Sequence, residues 1–404
     1  MAITLLVTDR NLNPLGDPLD GWTALDVTRK FNEPASGSVT LPATPEAMSI
    51  LQPGNRIVVV RDGKIWTAGP MEVPSEFEVG YGGGDSGGEQ APPGQITIDF
   101  TDDLALIAGY ITWPAPASAW TAQPTGTWRT IPSGTGEAII RQLVTENCGP
   151  SARAERRIPR LILGAASGAG TNTTVSTRFE ALLDTCRRVA IDGGGVGFRT
   201  RQDGRDIVFE VYEPRDLTAT ARFSFGLGNL RYLRAKVSAP TVTHALVAGS
   251  EPSADDTSGP TTRTYVEVAD AAQAAAWYRV EQFVDGSAAD DSAGELTQAG
   301  REQLAGGAAP VELATVTVDL PDEPGQPGSG LIAGRDFDLG DRVAIALPNG
   351  AQVADLVRSI HLQATPKTGE YLTALVGSSE ATTDPQVVRI VRNLSRRVGR
   401  ITAR

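Results

Sequence analysis

The chain has 404 residues, 40% of them apolar, with a formal charge of −12, two cysteines and two histidines. That length accommodates two to four domains at ~100–200 residues each, and the apolar share suffices for buried cores. No apolar run approaches the ~18 residues of a membrane span and no basic-then-apolar leader opens the chain, which predicts a cytosolic product without membrane insertion. In that compartment Cys148 and Cys186 are expected as buried, reduced thiols.

The charge is unevenly spread. Residues 381–404 hold six arginines against one acid, Asp384, a local +5 that leaves −17 on residues 1–380. So acidic a body argues against nucleic-acid binding, whose affinity comes mainly from basic contacts to phosphate.

In chain order, Ile3–Thr8, Ala24–Arg29 and Ser38–Leu41 read as strands, the last two separated by Asn32-Glu33-Pro34. Ile57–Arg61 and Lys64–Trp66 pair across Asp62-Gly63, the strongest short hairpin signal in the sequence. The Gly-rich stretch Val79–Gly94 reads as a loop before the strand Gln95–Phe100. Residues 111–135 form a Pro/Ala/Thr/Ser stretch carrying Trp113, Trp120 and Trp128, which suits a linker packed on a neighbouring domain, a subunit clasp or a sugar-binding loop.

Apolar stripes predict helices over Gly136–Cys148, through Ile139, Ile140, Leu143 and Val144, and over Thr177–Ala190, with Phe179, Leu182, Leu183 and Cys186 inward. Strands Val196–Thr200 and Ile207–Tyr212 follow, turning at Gln202-Asp203-Gly204. From Phe223 to Val247 the pattern is β again, then a strand Thr264–Val268. Two helices are expected over roughly 271–284 and 289–305. Val311–Leu320 leads into a closing meander: Val343, Ile345 and Leu347 alternate, Val353–Gln363 changes phase near Leu356 and Val357 as a β-bulge would, and Tyr371–Val376 ends it.

Tests for chemistry come back empty. His244 and His361 are isolated strand residues, and two distant cysteines provide neither metal-ligand spacing nor a nucleophile pair. The glycine run Gly193–Gly197 lies between helix and strand, the reverse of a phosphate loop. Asp336, Asp338 and Asp341 are read as turn formers, with calcium ligation as the competing reading. No cofactor, metal or catalytic residue is assigned.

Several segments, in their order along the chain, resemble one family. Gly37-Ser38-Val39-Thr40-Leu41-Pro42 followed by Arg56-Ile57-Val58-Val59-Val60-Arg61-Asp62-Gly63 resembles the opening barrel of phage tail hub proteins. Arg178-Phe179-Glu180-Ala181-Leu182-Leu183-Asp184 resembles the helix of their intervening domain, and Phe223-Ser224-Phe225 with Leu227-Gly228-Asn229-Leu230 the start of their second barrel. Leu339-Gly340-Asp341-Arg342-Val343 resembles their closing barrel. Together these resemble the baseplate-hub-like minor tail proteins of siphoviruses that infect actinobacteria, over roughly residues 1–380. The fold expected is mainly β with an α+β insertion: a tube-like β-barrel domain with linker at 1–125, a helix-helix-hairpin domain at 126–214, and a second barrel at 215–380 with a small helical lobe near 270–306. The resemblance implies a structural, non-enzymatic tail-tip hub of the virion, assembled in the host cytoplasm. It implies a homotrimer whose pseudo-six-fold ring joins a distal tail protein or tail tube above to a tip or central fibre protein below. DNA would pass without specific binding, and an acidic wall suits that passage. A tail-associated enzyme or a receptor- or cell-wall-binding module is the alternative.

Residues 381–404 read as a C-terminal basic amphipathic helix. Asp384 is a good N-cap and Pro385 suits the first turn. Val387, Val391, Leu394, Val398 and Ile401 recur in steps of 4, 3, 4 and 3, while Arg389, Arg392, Arg396, Arg397 and Arg400 occupy much of the remaining surface. Two heptads are too short to stand alone, so this helix is expected to associate with its copies or dock on an acidic partner.

Overall fold

In the computed structural model the described residues are 3–377 apart from 73–75, 79–93, 250–262, 286–292, 308–310, 327–328 and positions 238, 320, 325, 349, 351 and 368. The Gly-rich stretch after Val79 and the expected helix at 381–404 therefore lie outside the described residues. No helix among the described residues is long and apolar enough to cross a membrane. The chain divides into two compact units, one within Met1–Tyr232 and Thr315–Arg404, the other within Leu233–Ala314.

The first unit begins with an antiparallel sheet of Ile3–Thr8, Arg56–Arg61 and Lys64–Pro70. Asp62 and Gly63 take the hairpin corner with φ of 51° and 74°, the left-handed pair that a two-residue turn requires. Arg56 is buried and pairs with both carboxylate oxygens of buried Asp103, just ahead of the short helix Leu104–Ala108. It also donates to Gln202 Oε1 at 3.1 Å, tying this sheet to the strand Gly197–Asp203.

A second, larger sheet joins the two ends of the chain. Ala24–Lys30 lies between Glu33–Pro42 on one side and Gln352–Thr365 on the other. Gln95–Thr101 extends the sheet beyond Glu33–Pro42, and Gly369–Val376 extends it beyond Gln352–Thr365. Leu25, Val27, Val39, Leu41, Ile96, Ile98, Leu362 and Leu372 alternate onto one buried face, while Leu372–Val376 is buried at every position. The other face is polar, with Thr40 and Thr97 hydroxyls 3.0 Å apart and Asp26 bonded to His361 and Gln363 at 2.7 and 2.8 Å. The phase change expected near Val357 is a register shift between Val357 and Ser359. The expected opening and closing β regions thus share one sheet, which runs as an open path among the described residues.

Within the first unit the helices Gly136–Asn147 and Leu182–Asp192 pack through Ile140, Leu143, Leu183 and Cys186. The hairpin Gly197–Asp203 with Asp206–Tyr212 is widened by Leu161–Leu163, which pairs in parallel. Cys148 and Cys186 are free and buried, and burial pushes the Cys148 thiol up to about 12. One expectation needs correction. The second helix starts at Leu182 rather than Thr177, and Phe179 is exposed with φ of 55°. Its backbone bonds instead to the Tyr110–Thr112 segment (Phe179 N to Thr112 O, 2.9 Å; Leu182 N to Tyr110 O, 2.8 Å), a tertiary ladder that overrides helical periodicity.

In the second unit, Tyr265–Ala269, His244–Ala248 and Glu281–Asp285 form a sheet with His244–Ala248 in the middle. The helix Ala293–Gly307 covers one face, Leu296 packing on Ala245 and Val247. The expected helix over 271–284 is therefore corrected to a short helix, Ala271–Ala276, and a strand. Val280, Gln282 and Val284 alternate with Glu281 and Phe283, and the parallel edge of His244–Ala248 favours that extended reading.

Replacing Arg56 by Met leaves the Asp103 carboxylate buried without its partner, and a loss of roughly 3–5 kcal/mol is expected. Arg56→Met with Asp103→Leu should lose markedly less. Urea denaturation of the wild type, both single variants and the double variant measures this, and a double-variant loss equal to the sum of the single losses would mean the pair is not coupled.

Candidate functional site

The motif Leu339–Val343 lies where three parts of the first unit meet. The tip of the hairpin between Ala24–Lys30 and Glu33–Pro42 carries Phe31 and Asn32. Phe31 N donates to Arg358 O at 2.8 Å, anchoring the tip to the long strand Gln352–Thr365. Asn32 sits at φ of 56°, a conformation its short polar side chain tolerates. That side chain acts as a surrogate peptide: Nδ2 donates to Val196 O at 3.0 Å and Oδ1 accepts from Phe198 N at 2.7 Å. Arg187 of the helix Leu182–Asp192 donates to Asn32 O at 2.9 Å.

Gly340 completes the junction. Its φ is 83°, and a Cβ there would stand 2.3 Å from the Phe31 ring. Two separate demands, backbone conformation and space, therefore require glycine. Tyr212, at the end of the hairpin Gly197–Tyr212, donates its hydroxyl to Leu339 O at 3.0 Å. Asp341, also buried, accepts from Arg215 N and Nε, both at 3.1 Å, and from Asp338 N at 2.8 Å.

This arrangement assigns the three aspartates. Asp338 faces Arg29 at 3.6 Å and Arg199 at 3.2 Å. Asp336 accepts from Ile332 N at 2.7 Å and from Arg335. All three carboxylates serve turns and arginines, and among the described residues no group of His, Cys, Asp or Glu is placed to hold a metal.

A cleft of about 630 Å³ opens beside the junction, lined by Arg29, Trp66, Asp102, Arg199 and Arg335 among others. Its guanidiniums are engaged internally. Arg29 also stacks on Trp66 at 5.2 Å, and Arg335 pairs with Asp322 at 2.8 Å. The described residues that line the cleft include no His or Cys. Burial pushes Asp102 up to about 6, against the hydrogen bonds of the Ala35 and Leu104 amides and with repulsion from Asp103.

Of the tryptophans, Trp113 packs under Arg156 at 4.0 Å and its amide donates to Asn147 Oδ1 at 3.0 Å, while Trp120 and Trp128 are exposed. His244 and His361 sit on strands, as expected. Val387, Val391, Leu394, Val398 and Ile401, and Arg389, Arg392, Arg396, Arg397 and Arg400, lie outside the described residues. Local sequence gave no sign of Asn32's bridging role, because the residues it joins are about 165 positions away.

Three solved structures of similar fold are phage tail proteins. The 43 kDa tail protein of prophage MuSo2 from Shewanella oneidensis is 14% identical with a TM-score of 0.53, over 94% of this chain and 99% of that one. A tail protein from Neisseria meningitidis MC58 is 12% identical with a TM-score of 0.53, over 94% and 97%. The prophage tail protein gp18 from Listeria monocytogenes EGD-e is 14% identical with a TM-score of 0.51, over 96% and 99%. Among curated proteins none matches the chain. The fold is thus a phage tail protein fold. The family model for Siphovirus ReqiPepy6 Gp37-like protein matches residues 4–378, and the chain belongs to that family.

Two outcomes are expected. Gly340→Ala should lose roughly 2–4 kcal/mol through overpacking and strain, and less in a Phe31→Ala background, as a double-mutant cycle by urea denaturation would show. Asp102→Asn should raise the melting temperature at pH 7.5 but not at pH 4. With the folded pKa above the unfolded value, the folded state binds the proton more tightly. Stability then falls as pH rises from about 4 to about 6, by at most roughly 2–3 kcal/mol. A pH-independent difference would show that Asp102 does not titrate in that window.

Proposed function

We propose that this protein is a non-enzymatic hub of the phage tail tip, a homotrimer whose copies form a pseudo-six-fold ring. In this reading residues 1–125 and 215–380 are two tube-like repeats and residues 126–214 an inserted domain. The distal tail protein or tail tube binds above, a tip or central fibre protein binds below, and DNA passes through without specific contacts. The protein is a virion component.

The observation that carries this reading is the pairing of Ala24–Lys30 with Gln352–Thr365. It places the two β regions in one continuous sheet with a buried apolar face and a solvated polar one. A ring wall needs that construction, because each repeat must continue into the next without a bare edge. The polar face carries Asp26 and Asp99 in register through Ser38, a surface that repels a polyanion rather than holding it. The tail proteins of similar fold support the setting. Residues 384–401 would form the basic helix through which copies, or the next tail protein, are attached.

Sedimentation of the purified protein tests this. A species of three times the 42.4 kDa chain mass is expected, and it should weaken at high salt. Truncation after Thr383 should leave the melting temperature within a few degrees and reduce assembly into tails. A monomer that hydrolyses cell wall would instead support the enzyme reading.

A further inference from the structure

Among the described residues, the three-stranded sheet of the second unit has one face packed under a helix and one on which large apolar side chains stay partly exposed. Ala245 and Val247 point to the helix Ala293–Gly307. By alternation Leu246 points the other way, and the register sets Glu267 and Phe283 on either side of it. Two residues along, Tyr265 and Asp285 flank Ala248 on the same side. Leu246, Tyr265 and Phe283 are 42%, 56% and 54% exposed. A solvated face of an antiparallel ladder ordinarily alternates to polar residues, and three large apolar side chains across three strands depart from that rule. Around them stand Glu267, Glu281 and Asp285, with Arg279 bridging the first two at 2.9 and 2.6 Å and Arg263 on Asp285 at 2.7 Å.

The charge of the chain indicates what covers this face. Residues 233–314 carry twelve acids and five bases, a net −7. Residues 381–404 carry +5, a basic stretch in an acidic protein, with apolar residues every three or four positions from Val387 to Ile401. An apolar face within an acidic unit and an apolar seam within a basic segment are complementary in both respects.

We infer that the partly exposed face of this sheet receives residues 384–401 of a second copy, with Val391 and Leu394 against Leu246 and Phe283 and the arginines toward the unit's carboxylates. This rests on the reading that copies associate, and it names the surface through which the basic segment holds them together.

Hydrogen exchange of the full-length protein at low salt tests it, with Leu246→Ser/Phe283→Ser as the face variant and Val391→Asp/Leu394→Asp as the segment variant. Amides of 384–401 should exchange about tenfold or more slowly than an unstructured chain, and either variant should abolish that protection. Mixing the two variants should restore it in the intact segments of the first, which only docking between copies can do. Ile65→Ser, at an exposed position of the first unit, should change nothing. If the face variant loses protection in Ala293–Gly307 and is thus unfolded, Glu267→Lys/Glu281→Lys carries the test, with the same loss expected. Segments that stay protected in the face variants, or that mixing fails to restore, overturn the inference. In that event a trimer persisting in the same samples leaves the hub reading standing, whereas monomeric wild-type protein overturns that reading as well.

Discussion

The first unit depends on one hairpin tip. Phe31 and Asn32 project from the end of Ala24–Lys30 and meet three segments distant in sequence: the start of the hairpin Gly197–Tyr212, the Leu339–Val343 turn and the long strand Gln352–Thr365. Each contact needs a particular residue. Asn supplies a left-handed backbone and both a donor and an acceptor, Gly340 supplies space under the Phe31 ring, and Asp341 holds Arg215 while capping its own turn. Breaking the tip would leave buried backbone groups of Val196 and Phe198 without partners, at about 1–3 kcal/mol each.

That constraint explains why the chain's ends form one sheet. With the tip fixed on Arg358, the strand Ala24–Lys30 is aligned along Gln352–Thr365 for six paired residues, Leu25–Lys30. The helix Leu182–Asp192 and the hairpin Gly197–Tyr212 are held at the same point through Arg187 and Val196. A continuous sheet with Asp26 and Asp99 on its polar face follows from these contacts. Rigidity and surface charge, rather than reactive groups, are what the proposed role requires.

Sequence made the local elements legible and hid the distant ones. Asp62-Gly63 announced its hairpin because a two-residue turn demands left-handed residues. The stripe Ile139, Ile140, Leu143 and Val144 announced its helix, since all four side chains are buried. Phe179 misled because helical spacing continued into a segment that pairs with Thr112 instead. Residues 280–284 misled because a short run of mixed polarity fits helix and strand alike, and only the neighbouring strand decides. The motif Leu339–Val343 pointed to the family. Its work in the fold, making room for Phe31 and binding Arg215, could not be read from the motif, because the partners lie more than 120 residues away.

The most direct measurement is an electron cryomicroscopy reconstruction of intact tails with this protein located by a fused tag. Three copies around the tail axis, with the Asp26 and Asp99 face of the continuous sheet toward the lumen, are the result predicted. A single copy per tail, or copies placed off the axis with that face turned outward, would contradict the hub.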